Sequence, residues 1–206
     1  MGKKGAKSAR NKWEDYWARQ AKKEGYPARS VYKLKEIQKK FSVLSPGDKV
    51  LDLGCSPGSW LLFAARTVGG KGSVTGVDLK PVTISSGPNV RVFTGDVASP
   101  EVGLLEELGA GFNVVLSDMA PSTSGNKSLD ALRSEALSEA ALSLAERVLA
   151  PGGTFVCKIF QGPGFEGFVS RARKAFGRVK LYKPPATRKA SREIYLVAKD
   201  KKPPPG

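Results

Sequence analysis

The chain has 206 residues, enough for one domain with a substantial core, and 34 Lys and Arg against 19 Asp and Glu give a formal net charge of +15. With no histidine and only two cysteines, it lacks the commonest general base and metal ligand, and a zinc site or disulfide framework is excluded. No apolar run is long enough to span a membrane and the Lys-rich N-terminus has no apolar signal core, so a cytoplasmic protein with reduced, buried thiols is expected.

Residues 1–11, rich in Lys, Gly, Ala and Ser, read as a basic flexible tail, and 12–41 as a basic helical extension with helices at about 12–23 and 30–41. In the second helix Val31, Leu34, Ile37 and Phe41 form the apolar stripe, with Lys33, Lys35, Lys39 and Lys40 on other faces. Ser45-Pro46-Gly47-Asp48 turns into a first strand at about 49–53. A helix follows from about Ser59, then strands at 73–78 and 90–94, a helix near 100–109 and a strand at 113–117. The longest helical pattern, about 128–149, stops at Ala150-Pro151-Gly152-Gly153 before a strand at 154–160. A helix near 165–176 and strands at about 178–183 and 193–198 complete the pattern, leaving 199–206 as a Lys/Pro-rich tail expected to be disordered.

Strands alternating with helices predict a single α/β domain, a mainly parallel Rossmann-like sheet covered on both faces. The last two strands are too close together for an intervening helix and should pair antiparallel. The charge is unevenly spread along this order. Residues 1–40 carry thirteen Lys/Arg against four Asp/Glu, and 171–192 carry nine against none. A solubilising surface would not concentrate charge at two ends, so nucleic acid is the expected partner, with both segments bordering the strand edge that carries Lys158.

The organising stretch is Val50 to Trp60, where a buried strand breaks at Gly54, Pro57 and Gly58 and resumes as an apolar helix. A strand turning through glycines into a helix opens nucleotide-binding α/β domains, because glycine lets backbone N–H groups approach a ligand. The dinucleotide spacing G-x-G-x-x-G is absent, and Asp52 at the strand end would repel a pyrophosphate while suiting a cationic ligand such as S-adenosylmethionine. Four strands finish on a carboxylate: Asp52, Asp78, Asp96 and Asp118. Asp78, twenty residues after Gly58, has the spacing of a ribose ligand, and Asp96 suits an exocyclic amine. Lys158 interrupts the otherwise apolar run Phe155 to Phe160, a costly placement unless the ammonium is paired, and Asp118 on the neighbouring strand is its expected partner.

Several runs together resemble one family. They are Ser30-Val31-Tyr32-Lys33-Leu34, Asp52 to Trp60, Ser117 to Gly125, Leu149 to Gly153, Lys158 to Gly162 and Ser191-Arg192-Glu193-Ile194-Tyr195. In that order the chain resembles the FtsJ/RrmJ-type ribosomal RNA 2′-O-ribose methyltransferases from about Trp13 to Lys199. The resemblance implies a seven-stranded sheet with one antiparallel strand, S-adenosylmethionine as cofactor, no metal, and a uridine ribose of large-subunit ribosomal RNA as substrate. It places a catalytic tetrad on Lys33, Asp118, Lys158 and Glu193, and methyl-donor contacts on Gly58, Trp60, Asp78, Asp96 and Asp118. Ser59 departs from the pattern, since many members have a second glycine there. A tRNA-directed relative and a catalytically idle RNA-binding assembly factor are the alternatives.

Overall fold

The computed structural model describes residues 16–82, 84, 87–100, 102–121, 124–188 and 190–203. The expected basic tail at 1–11 and the start of the first helix lie outside the described residues. The helices are α1 (16–23), α2 (Val31–Phe41), α3 (Ser59–Val68), α4 (Val102–Leu108), α5 (Lys127–Val148) and α6 (Phe165–Ala175). The strands are β1 (Lys49–Leu53), β2 (Ser73–Asp78), β3 (Val90–Thr94), β4 (Phe112–Ser117), β5 (Leu149–Phe160), β6 (Phe176–Tyr182) and β7 (Glu193–Lys201).

They form one seven-stranded sheet in the order β3-β2-β1-β4-β5-β7-β6. β7 inserts between β5 and β6 and is antiparallel to both, while the other pairs are parallel. Alternation along each strand sends successive side chains to opposite faces. Leu51, Leu53, Val115, Phe155 and Leu196 join the core beneath α5 and α6, whereas Val50, Val114, Leu116, Val156 and Tyr195 join the core beneath α2 and α3. The chain reverses its crossover direction between β1 and β4, so the carboxyl ends of these two central strands open the crevice where open α/β sheets bind ligands.

Two strands are longer than the sequence reading. β5 begins at Leu149, paired with Phe112, and a register irregularity between Phe112 and Val114 absorbs the Pro151-Gly152-Gly153 run read as a helix stop. β7 continues to Lys201, so 199–201 are strand and not the start of a disordered tail. Composition misleads there because the lysines have acceptors: Lys199 Nζ donates to the carbonyls of Phe41 and Ser42 at 2.6 and 3.0 Å, and Lys201 Nζ to that of Leu149 at 2.7 Å. No helix among the described residues is long and apolar enough to cross a membrane.

Candidate active site

The first cavity lies beyond the carboxyl ends of β1, β2, β3 and β4. It has a volume of ≈ 350 Å³, and its walls include Gly54, Ser56, Asp78, Asp96, Asp118 and Met119. Asp78 is fixed by two backbone donors, Ser56 N–H to Oδ2 at 2.9 Å and Lys80 N–H to Oδ1 at 2.8 Å. Asp96 accepts from Ala98 N–H at 2.8 Å. Gly54, at φ 73°, is the turn on which the floor depends: a Cβ there would sit 2.5 Å from Met119 Cγ.

The second cavity is a cleft of ≈ 810 Å³ whose walls include Arg29, Lys33, Lys158, Thr187, Arg188 and Glu193. Ala120 is shared with the first. The two spaces therefore meet at the end of β4, and the ion pair of Asp118 with Lys158 stands at that boundary.

Strand register assembles this boundary. Ser117 lies beside Cys157, so Asp118 and Lys158, each one residue further on, are neighbours across β4 and β5. In the β5–β7 ladder Lys158 faces Tyr195 and Phe160 faces Glu193, and the period of two puts Glu193 and Tyr195 on one face. α2 crosses that face and supplies Lys33. Lys158 Nζ donates to Asp118 Oδ1 at 2.9 Å and to the Asp118 carbonyl at 2.5 Å. Lys33 Nζ lies 2.7 Å from Glu193 Oε1, a charge contact off the line of a true hydrogen bond. All four tetrad residues are thus brought together as two ion pairs.

Tyr195 links the pairs, a feature the sequence reading did not assign. Its hydroxyl donates to Asp118 Oδ1 at 2.6 Å, and Lys33 Nζ stands 5.8 Å from its ring centroid. Burial, reinforced by the Asp118 and Glu193 carboxylates, pushes the phenol pKa well up and keeps Tyr195 a donor. Burial would raise the Asp118 carboxyl, but the Lys158 and Lys33 ammoniums and the Tyr195 hydroxyl outweigh it and hold the pKa below the usual carboxylate value.

Three expectations need correcting or refining. Asp52, read as facing a cationic ligand, is fully buried, is not a wall of either cavity, and has no hydrogen-bond partner on either oxygen among the described residues. Burial first, and then the Asp118 and Asp78 charges, raise its pKa well above the ordinary value. Gly58 and Trp60 are not walls of the first cavity. Gly58, at φ 107°, packs against Ile84 and Val82, and Trp60 is buried with Nε1 donating to the Ser30 carbonyl at 3.0 Å. The basic segment 171–192 divides in two. Its second half lines the cleft through Thr187, Arg188 and Ser191, but Arg171 is held by Glu139 and Glu146 of α5 at 2.5 and 2.6 Å, and Arg178 by Asp200 at 2.5 Å.

A family model described as FtsJ-like methyltransferase matches residues 26–201. The chain is 52% identical over 199 residues to the ribosomal RNA large subunit methyltransferase E of Desulfatibacillum aliphaticivorans, covering 97% of this chain and 96% of that protein. It is 45% identical over 196 residues to the protein of the same name in Treponema denticola, covering 93% and 98%. Among solved structures, a Plasmodium falciparum protein described as a ribosomal RNA methyltransferase superposes with a TM-score of 0.74 at 30% identity, covering 85% of this chain and 98% of that one.

Proposed function

The chain belongs to the FtsJ-like methyltransferase family, and on that premise we propose that it transfers a methyl group from S-adenosylmethionine to a ribose 2′-hydroxyl, that of a uridine in large-subunit ribosomal RNA. The observation that carries this reading is the junction of two cavities at one ion pair, with carboxylates facing the smaller and cations facing the larger.

The smaller cavity suits the donor. Its volume falls within the roughly 300–1,000 Å³ of small-molecule sites, and Asp78 and Asp96 keep carboxylate lone pairs for ribose hydroxyls and an exocyclic amine after their backbone bonds are made. When bound, the donor supplies an electrophilic methyl group on a sulfonium.

The larger cleft suits the acceptor strand. Arg29, Lys33 and Arg188 offer phosphate contacts, and Lys158 at its floor meets the hydroxyl that reacts. A neutral amine has two N–H groups and one lone pair. Oδ1 and the backbone carbonyl of Asp118 take both N–H groups of Lys158, which leaves the lone pair to accept the 2′-hydroxyl proton. Asp118 then stabilises the ammonium that forms. Glu193 neutralises and positions Lys33, and Tyr195 fixes Asp118.

The test is incubation of the protein with methyl-labelled S-adenosylmethionine and large ribosomal subunits or their isolated RNA, followed by mapping of the labelled nucleotide. Label on a uridine 2′-oxygen is expected. Label on a base, or no label in RNA, overturns the reading.

A further inference from the structure

Some of the basic residues are held in ion pairs and others stand exposed without one. Arg171 of α6 is paired with Glu139 and Glu146 of α5, and Arg178 of β6 with Asp200. On the α2 face Lys39, Lys40 and Lys180 are exposed, and among the described residues no carboxylate pairs with them. Cations without a paired carboxylate repel one another, so a folded surface that gathers them is suited to an anionic partner.

These lysines continue the acceptor cleft. On α2 the residues Lys33, Glu36 and Lys40 fall on one stripe at i, i+3 and i+7. Lys33 meets Glu193 inside the cleft, Glu36 accepts from the Ala186 N–H at 3.0 Å on its wall, and Lys40 lies over the Tyr182 ring, 4.3 Å from the centroid. Seven residues of helix put Lys40 about 10 Å from Lys33 along the axis. Tyr182 is itself held edge-on by Phe41, with centroids 5.4 Å apart at 77°. Lys180, two residues earlier on the edge strand β6, projects to the same face. A half-buried tyrosine thus fixes one ammonium beside another in line with the cleft.

We infer that the seam between α2 and β6, formed by Lys40, Lys180 and the Tyr182 ring, is an auxiliary docking strip for the RNA backbone flanking the target nucleotide. The inference rests on the RNA reading above and adds the path by which the strand leaves the cleft. The strip contacts phosphates and carries no sequence preference, so it contributes to affinity and to KM for RNA but not to the chemical step.

The experiment compares two double charge reversals of equal size, Lys40→Glu with Lys180→Glu on the strip and Arg173→Glu with Lys174→Glu on α6. Binding of a large-subunit ribosomal RNA transcript is measured across salt concentration, with S-adenosylmethionine binding and thermal unfolding as controls. The strip variant is expected to bind the transcript at least tenfold more weakly at low salt. Its slope of log affinity against log salt should fall by about 1.5–2, one phosphate contact per lysine. The α6 variant should keep a slope near that of wild type. The neutral pair Lys40→Gln with Lys180→Gln should show the same slope change with a smaller loss of affinity. A strip variant with the wild-type slope, or two reversals with equal effects, overturns the inference. If the wild-type protein methylates no RNA, the functional reading fails instead, and the two failures are told apart by that control.

Discussion

The Ser59 hydroxyl is doubly bonded to the backbone of Ala28, accepting from its N–H at 2.8 Å and donating to its carbonyl at 3.0 Å. Together with the Trp60 Nε1 bond to the Ser30 carbonyl, it ties the first turn of α3 to the segment that carries Arg29 and leads into Lys33. The first turn of α3 and the segment that leads into the acceptor cleft are therefore joined through Ser59 and Trp60. Ser59→Ala would leave two part-buried backbone groups unpaired, a cost on the order of 1–3 kcal/mol. Thermal unfolding should register a drop of a few degrees, and steady-state kinetics a higher KM for RNA with kcat less affected. An unchanged unfolding temperature would show that the tie contributes nothing.

Asp78 serves both the fold and the donor, since both of its oxygens already hold backbone N–H groups. Asp78→Asn keeps one acceptor oxygen but loses the charge and the second acceptor. Donor affinity should fall by about 1.5–3 kcal/mol, the worth of a hydrogen bond to a charged group, while RNA affinity is retained. Calorimetric titration with S-adenosylmethionine checks this, and wild-type affinity would remove Asp78 from the donor site.

Much of this site was legible in the sequence because each signal was an anomaly against a simple background. Lys158 is a lone ammonium in an apolar strand, and Asp78, Asp96 and Asp118 end successive strands. What the sequence hid depends on packing between distant segments. Whether a carboxylate at the end of β1 reaches a ligand or stays in the core turns on the neighbours of a fully buried position, so Asp52 was misread. Arg171 looks like any other basic residue until α6 lies against Glu139 and Glu146 of α5. Tyr195 stood within a quoted run, but its bond to Asp118 spans 77 residues and appears only once β7 inserts beside β5.

Asp52 gives a pH dependence of unusual sign. Its folded pKa is raised well above the ordinary 3.8, so the unfolded chain loses this proton first as pH rises. The folded state then binds more protons than the unfolded state, and stability falls through this group from about pH 4 until the folded pKa is reached, by up to ~1.4 kcal/mol per pH unit. Asp118, with its pKa lowered, acts in the opposite sense and contributes stability that is lost as pH falls through its folded value. Asp52→Asn should remove only the first contribution, so that its denaturation free energy rises relative to wild type between pH 4 and pH 7. Urea titrations over that range test the difference. Parallel pH profiles for the two proteins would mean that Asp52 finds a partner for its charge.

The role of Lys158 can be separated from its charge. Lys158→Ala removes the lone pair but also leaves Asp118 without its ammonium, and losing one member of a buried ion pair costs about 3–5 kcal/mol of stability. Lys158→Arg is the sharper variant. A guanidinium retains the positive charge beside Asp118 yet stays protonated throughout the working range and has no lone pair to offer. If Lys158 accepts the 2′-hydroxyl proton, the arginine variant should fold, bind donor and RNA with near wild-type affinity, and lose several orders of magnitude in single-turnover rate. The wild-type chemical step should accelerate with rising pH, because a base is inactive while protonated. If Lys158 instead acted as a fixed positive charge, the arginine variant would retain much of its rate and the wild-type rate would not climb with pH. Retention of more than about a tenth of the rate in Lys158→Arg, a barrier change below ~1.4 kcal/mol, removes the base role.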